Sequence, residues 1–302
     1  MKDPYTVPYR GIYAICDEKN EKAEIIEHPN CYGGAAWSLH HYAKSPAVTK
    51  AYSCGEFIRY AVKVGPSTIE LKSSVAAAGI ESVICTDSGD VQITYMGIGG
   101  GGVGATKCRA FADGVLKYEI TESGGGKTAT GKIFVPRMER VLIAIDDTDS
   151  CEEGATWTLT HNIGKAVSTP EAVYFSQALV QLYPVPEKTQ NCMSTVLEFG
   201  CTTPAAKEKL IADIKELLLK YSVSENTGML AYSGFDISDD LKEYSKKGRT
   251  MRVSREETIR MAKNNHVDII LDGNGIIGAL AAFAWFAQPI ESVKPEFDVN
   301  LI

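Results

Sequence analysis

The chain has 302 residues, about twice the common size of one domain, so two compact units are expected. Apolar residues make up 44% and charged residues 23%, ordinary globular values that exclude wholesale disorder. The net charge of −7 argues against a general polyanion binder, because nucleic-acid affinity rests on Lys and Arg contacts to phosphate, although a local basic groove stays compatible with it.

The chain divides near residue 138, giving an N-terminal α+β domain over 1–138 and a second domain over 139–302. In the first, Ile12–Ile15 and Ala23–Ile26 read as a hairpin closed by the charged turn Asp17–Asn20. Gly34–Ala43 is expected to be a short helix. Phe57–Val64 and Thr68–Leu71 read as strands separated by Gly65-Pro66. Val91–Met96 alternates and is expected as another strand, and Ala105–Ala112 as a helix. Glycines cluster at 97–104 and 124–126, the latter within the polar stretch Glu122–Lys132.

The second part carries plainer signals. Val141–Ile145 is a continuous apolar run of the strand type buried on both faces. A helix over about 155–167 follows, then strands over Val173–Leu182 and Thr195–Phe199. Thr203-Pro204 opens a helix with a cap residue and a proline at its first position. Leu210, Ile211, Ile214, Leu217 and Leu218 form its apolar stripe. Glu225–Gly228 reads as a turn, and the basic run Lys242–Arg252 as a solvated surface. Ser254 and Glu257 make a capping box. Val267–Leu271 reads as a strand, Gly273-Asn274-Gly275 as a turn and Ile276–Phe286 as a buried helix.

The longest apolar stretch, Gly275–Ala287, is 13 residues, which suits a buried helix rather than a bilayer crossing. The start, Met1-Lys2-Asp3-Pro4-Tyr5, lacks the apolar core of a secretory signal. The eight cysteines form no Cys-x-x-Cys pair, so a zinc ribbon has no support. They read mostly as buried free thiols of a cytoplasmic protein. The adjacent His40 and His41 are poor joint ligands, and are expected one exposed and one packed.

The strongest chemical signal is Ile145-Asp146-Asp147-Thr148-Asp149-Ser150. Three carboxylates at the end of a buried strand repel one another unless a cation neutralises them. Magnesium suits such a site, because it takes one or two carboxylates and completes its shell with water and substrate phosphates. The helix that begins after Gly154 would turn free N–H groups toward an anion. The alternative is a polar turn in which Asp and Ser cap the backbone. The second signal is Asp272-Gly273-Asn274-Gly275-Ile276-Ile277-Gly278, a strand feeding a glycine turn and a small-residue helix, where a backbone can approach phosphate. Gly278 and Ala279 can equally be small only for close packing. The third is the run Gly97–Lys107. It contains no Walker A match, and it reads either as a phosphate nest of Gly101, Gly102 and Gly104 aided by Lys107 and Arg109, or as a flexible surface loop.

Residues from about 140 to 288 resemble the catalytic core of the archaeal tRNA-isoleucine agmatinylcytidine synthetases. The matching pieces are the 145–150 motif, the loop Pro186–Asn191, Asn226-Thr227-Gly228 and Gly273–Ala282, in the family's order. The whole chain, with Cys31–Ala35, the Gly97–Lys107 run and Gly154-Ala155-Thr156-Trp157, resembles the methanogenesis marker protein 11 family. The resemblance implies an ATP- and Mg2+-dependent core with a ferredoxin-like part over about 170–235. It implies that Asp146, Asp147 and Asp149 hold metal and phosphate, with Ser150 and Gly154 beside them. Gly273, Asn274, Gly275 and Gly278 would line the nucleotide site, and Lys188 to Asn191 would face the acceptor. One extra residue precedes the glycine, so the threonine that the resemblance implies in phosphoryl chemistry falls on Thr156 or Thr158, or Trp157 takes its position. The chain departs from the synthetases in carrying about 140 other residues before the core and no zinc ribbon.

These features lead to an expected ATP-dependent ligase or phosphotransferase that activates an oxygen of an acceptor other than tRNA, a small molecule or a protein of methane formation. Lys188 would aid as an electrophile. The alternatives are a non-catalytic ATP-binding assembly factor for a methanogenic enzyme, and a tRNA-modifying enzyme.

Overall fold

In a computed structural model, which describes residues 3–299, the chain is mixed α+β and divides into two compact units, Met1–Met138 and Glu139–Ile302. Met1 and Lys2, which open the stretch considered above for a secretory signal, lie outside the described residues. Among those residues no helix is long and apolar enough to cross a membrane. All eight cysteines are free.

The first unit contains β1 (Gly11–Cys16), β2 (Lys22–His28), α1 (Tyr32–Tyr42), β3 (Val48–Cys54), β4 (Phe57–Lys63), β5 (Gly65–Pro66), β6 (Ala78–Cys85), β7 (Asp90–Ile98), α2 (Gly100–Ala105), α3 (Lys107–Ala110) and β8 (Lys117–Ile120). β9 (Thr128–Asp146) contributes its residues up to Met138. The strand order is β3-β4-β2-β1-β9-β7-β6-β5, with β8 also on β9. The pairing is antiparallel except for a short parallel contact between β1 and β9. The expected hairpin of β1 and β2 is present, with Asp17 Oδ1 accepting from the backbone of Glu21 and Lys22.

Three expectations are corrected here. Residues 68–71 form no strand: they lie in an irregular connection between β5 and β6, closed by an isolated bridge of Lys72 to Ala76. The helix expected over Ala105–Ala112 is broken at Thr106, whose φ and ψ of −108° and −99° are not helical. The glycine run preceding it is not a loop but the helix α2, packed so tightly that a Cβ on Gly97 would lie 2.3 Å from the Gly101 carbonyl oxygen. β3 and β6 were not legible in the sequence.

The first unit's core closes around a buried charge. The Arg109 guanidinium donates from Nε and Nη2 to the two Glu27 carboxylate oxygens at 2.7 and 2.8 Å, and from Nη1 to Tyr42 OH and Gly104 O, both at 2.9 Å. The rings of Tyr9, Tyr42 and Tyr95 surround it, 4.3 to 4.7 Å from Cζ. A buried ion pair survives only when its remaining donors are satisfied in this way. Arg109 is therefore spent on the core, which overturns its expected role beside a phosphate.

The second unit takes the rest of β9, then α4 (Thr156–Val167), β10 (Ala172–Gln181), β11 (Met193–Cys201), α5 (Pro204–Tyr221), β12 (Gly228–Ser233), α6 (Asp239–Thr250), α7 (Arg255–Asn264), β13 (Asp268–Asp272), α8 (Ile276–Ala282) and α9 (Pro289–Ser292). Its sheet runs β10-β11-β9-β12-β13, antiparallel throughout. The apolar run Val141–Ile145 is central, and helices cover both of its faces. Val141, Ile143 and Ile145 pack with Ile163 of α4 and Leu210, Ile214 and Leu218 of α5. Leu142 and Ala144 pack with Leu241 and Tyr244 of α6 and Ile276, Ala279 and Leu280 of α8. Burying each such aliphatic side chain is worth about 1.5–3 kcal/mol. The caps expected for α5 and α7 are present: Thr203 Oγ1 accepts from Ala206 N, and Ser254 Oγ from Glu257 N.

The run Lys242–Arg252 is corrected from a solvated surface to most of α6. Tyr244, Gly248 and Arg249 lie inward. The Arg249 guanidinium, fully buried, sits 3.9 Å from the Trp285 ring and 3.0 Å from Glu296.

Candidate functional site

The alternation of β9 sets the site. Asp146 shares a parity with Leu142 and Ala144, so its side chain falls on the face covered by α8. There it meets a glycine. A Cβ on Gly278 would lie 1.8 Å from Asp146 Oδ2 and 2.8 Å from Leu182 Cδ1, so a larger residue there must displace the carboxylate. Gly275 is held as closely, its Cβ position being 2.5 Å from the Asp146 carbonyl oxygen, and that of Gly273 is 2.2 Å from Asn226 O. The 273–278 segment is thus clamped onto the end of β9 and the turn before β12.

Asp146 is nearly buried, and its Oδ1 accepts from the Asp147 backbone at 3.0 Å. Burial, reinforced by the charge of Asp147, pushes its carboxyl well above the usual carboxylate range. Asp147 stands at φ +54°, a left-handed conformation that L residues seldom adopt. Burial and then the neighbouring Asp149 push its carboxyl up to about 6. Thr227 Oγ1 donates to the Asp147 carbonyl at 3.1 Å and fixes this turn. Asp149 accepts on Oδ1 from Thr189 at 3.0 Å and from Thr156 at 3.4 Å.

Asp146, Asp147, Asp149, Lys188, Asn274 and Gly278 line one cavity of about 760 Å3. Tyr183, Met251 and Val253 supply apolar wall. Two arginines that the sequence did not single out complete it. Arg252 pairs with Glu187 at 2.6 Å. Arg255 donates to Gly273 O at 3.0 Å and to the Asp272 carboxylate at 2.7 Å, tying α7 to the glycine turn. Lys188 Nζ donates to Gln190 O at 3.0 Å, and Gln190 Nε2 to Ser150 O at 3.1 Å, which fastens the 183–192 loop beside the aspartates.

Other expected site residues serve the scaffold. Gly273 and Gly275 lie behind the cavity wall rather than on it. Ser150 Oγ accepts from the backbone of Glu152 and Glu153, capping the turn. Gly154, at φ +90°, lets the chain pass Asp149 where a Cβ would lie 2.9 Å from that of Asp149. Thr156 Oγ1 is buried and accepts from Thr148 N and Thr148 Oγ1, at 3.2 and 3.0 Å. Thr158 Oγ1 donates to Ala155 O within its own helix turn, so it is removed from the candidate site. The expected three-carboxylate metal set is likewise corrected. Among the described residues no three His, Cys, Asp or Glu side chains group to hold a metal, and Asp149 already serves two threonines. Gly101, Gly102, Gly104 and Lys107 belong to the first unit and do not line this cavity. Lys107 pairs with Asp3 at 3.1 Å.

Residues 142–270, which carry this site's strands, match the family described as the TiaS TCKD domain. The chain belongs to the family of the uncharacterized protein MJ0921 of Methanocaldococcus jannaschii, to which it is 40% identical over 283 residues, 92% of this chain and 93% of that one. Among solved structures, TiaS in its complex with tRNA and ATP is 22% identical over 48% of this chain, with a TM-score of 0.44. A tRNA fluorescent labeling enzyme is 22% identical over 48% of the chain, with a TM-score of 0.43. The match takes in 36% of each of those two solved chains.

Proposed function

We propose that the second unit binds ATP with Mg2+ in the cavity at Asp146 and Asn274, and that the protein uses it to activate an oxygen of an acceptor other than tRNA. The observation that carries this reading is the meeting of the 146–149 turn and the 274–278 segment on one cavity, though more than 120 residues separate them in sequence. The match of residues 142–270 to the TiaS TCKD domain supports it.

The residues present fit the two groups. The cavity volume lies in the range of small-molecule sites. Asp147 offers a hard oxygen ligand, with Asp146 beside it, and magnesium asks for one or two carboxylates. Bound magnesium would neutralise phosphate charge and ease transfer of the activated group. Gly278 leaves the room in which Asp146 is held, and Asn274 lines the cavity one residue before α8's cap. Arg255 fixes the glycine turn. Lys188 and Arg252 add positively charged side chains to the lining. Thr156 anchors the loop that carries Asp147 and Asp149.

The net charge of −7 and the absence of a Cys-x-x-Cys pair support an acceptor other than nucleic acid. We place that acceptor among the cofactor precursors or proteins of methane formation, in the cytoplasm. The test is incubation of the full chain with ATP, Mg2+ and an extract of a methane-producing archaeon, resolving AMP from ADP. Acceptor-dependent formation of either product supports catalysis. ATP binding without turnover favours the assembly-factor alternative, and tRNA copurifying with the protein favours the tRNA-modifying one.

A further inference from the structure

The first unit holds its own cavity, of about 570 Å3, which is a volume typical of small-molecule sites. Its lining differs in kind from that of the aspartate cavity. No Asp, Glu, Lys, Arg or His is among the described residues that line it. Several of its polar side chains are already engaged within the protein. Ser38 Oγ lies 3.2 Å from Tyr9 OH. Asn30 donates to Pro8 O at 2.7 Å and accepts from Arg10 Nε at 2.6 Å. Cys31 Sγ accepts from Gly34 N. An occupant here meets no charged side chain.

The wall is built from the rings of Tyr5, Tyr9 and Trp37 and from bare glycine backbone. Gly34 lies in α1, and Gly100 and Gly104 in α2, and none has a positive φ. A Cβ on Gly100 would meet nothing within 4 Å. On Gly34 the nearest atom would be Cys31 Sγ at 3.5 Å, and on Gly104 it would be Arg109 Nη1 at 3.8 Å, both ordinary contacts. Gly101 differs, since its Cβ would lie 2.7 Å from Ala77 O. Glycine weakens a helix relative to alanine. The first unit thus carries four helical glycines that its own packing does not ask for, Gly33, Gly34, Gly100 and Gly104, and three of the four line this cavity. What their missing side chains leave is room, beside aromatic rings suited to stacking.

We propose that this cavity is a binding site for a flat, uncharged ring compound, and that Gly34, Gly100 and Gly104 keep it open. The inference does not rest on ATP binding by the second unit. It replaces the phosphate nest expected for the glycine run, because nothing cationic lines the space.

The test uses the full chain and two dyes that share one ring system. N-phenyl-1-naphthylamine is uncharged, and 8-anilinonaphthalene-1-sulfonate adds an anionic group. Fluorescence titration is expected to show saturable binding of the first, at one dye per chain, and at least about tenfold weaker binding of the second. Gly100→Val is expected to weaken the uncharged dye by at least about tenfold while far-ultraviolet circular dichroism stays that of the parent. Gly104→Ala gives the same reading should the first variant fail to fold. Gly33→Ala, on α1 but outside the lining, and Asp147→Asn are expected to bind as the parent does. The inference is overturned by the lack of saturable binding, by equal affinity for the two dyes, or by folded Gly100 and Gly104 variants that bind unchanged.

Discussion

Gly278 and Asp146 are in van der Waals contact across the junction of α8 and β9, with no space for a single added methyl group: its carbon would stand 1.8 Å from the Asp146 carboxylate. In an unconstrained helix, Gly→Ala stabilises by about 0.5–1 kcal/mol. Here the sign is expected to reverse. Gly278→Ala should destabilise by about 1–3 kcal/mol, as overpacked cores do, and should also weaken ATP binding by displacing Asp146. Chemical denaturation and nucleotide titration of one preparation check both effects.

Removing charge from the aspartate turn is expected to separate binding from stability. Asp147→Asn should abolish Mg2+-dependent ATP binding. Its melting temperature without ligand should equal or exceed that of the parent, because burial and Asp149 already disfavour the Asp147 charge. Scanning calorimetry with and without Mg-ATP measures the two together.

The same residue gives a pH dependence with a definite sign. Its carboxyl rises from 3.8 to about 6 on folding, so the folded chain binds more protons than the unfolded chain between those values. The contribution of Asp147 to the stability of the nucleotide-free protein therefore falls as pH rises through that window, and levels off above it. Urea titrations across pH 4 to 7 should show a decline in the parent that is smaller in Asp147→Asn.

The Glu27–Arg109 pair and the exposed Lys209–Asp213 pair offer a contrast in burial at similar distance, 2.7 and 2.6 Å. Glu27→Ala strands a buried guanidinium and should cost about 3–5 kcal/mol. Asp213→Ala should cost less than about 0.5 kcal/mol. Equal losses in denaturant titrations would refute the role given to the buried pair.

Much of the second unit was legible because its signals are local. The apolar run at 141–145, the Thr203-Pro204 and Ser254 caps and the stripe of α5 each declare an element without reference to the rest of the chain. The site was legible only in part. Asp146 and Asn274 stood out singly, but their shared cavity depends on strand pairing between β9, β12 and β13, which no local pattern encodes. Arg255 looked like any first-turn helix residue until the end of β13 was placed beside it. The Lys242–Arg252 run misled because Tyr244 and Arg249 sit among lysines, and only packing shows which side chains turn inward. The glycine run failed for a related reason. Glycine has little helix propensity, and the close packing of α2, with Gly97 and Gly101 nearer than a larger residue allows, shows only in the folded chain.

The most direct measurement is a crystal structure of the full chain with a non-hydrolysable ATP analogue and Mn2+ in place of Mg2+, the metal located by its anomalous signal. The account predicts the triphosphate between the 146–149 turn and the 274–278 segment, with the metal on Asp147. An analogue bound elsewhere, or a metal held without Asp146 or Asp147, would contradict it.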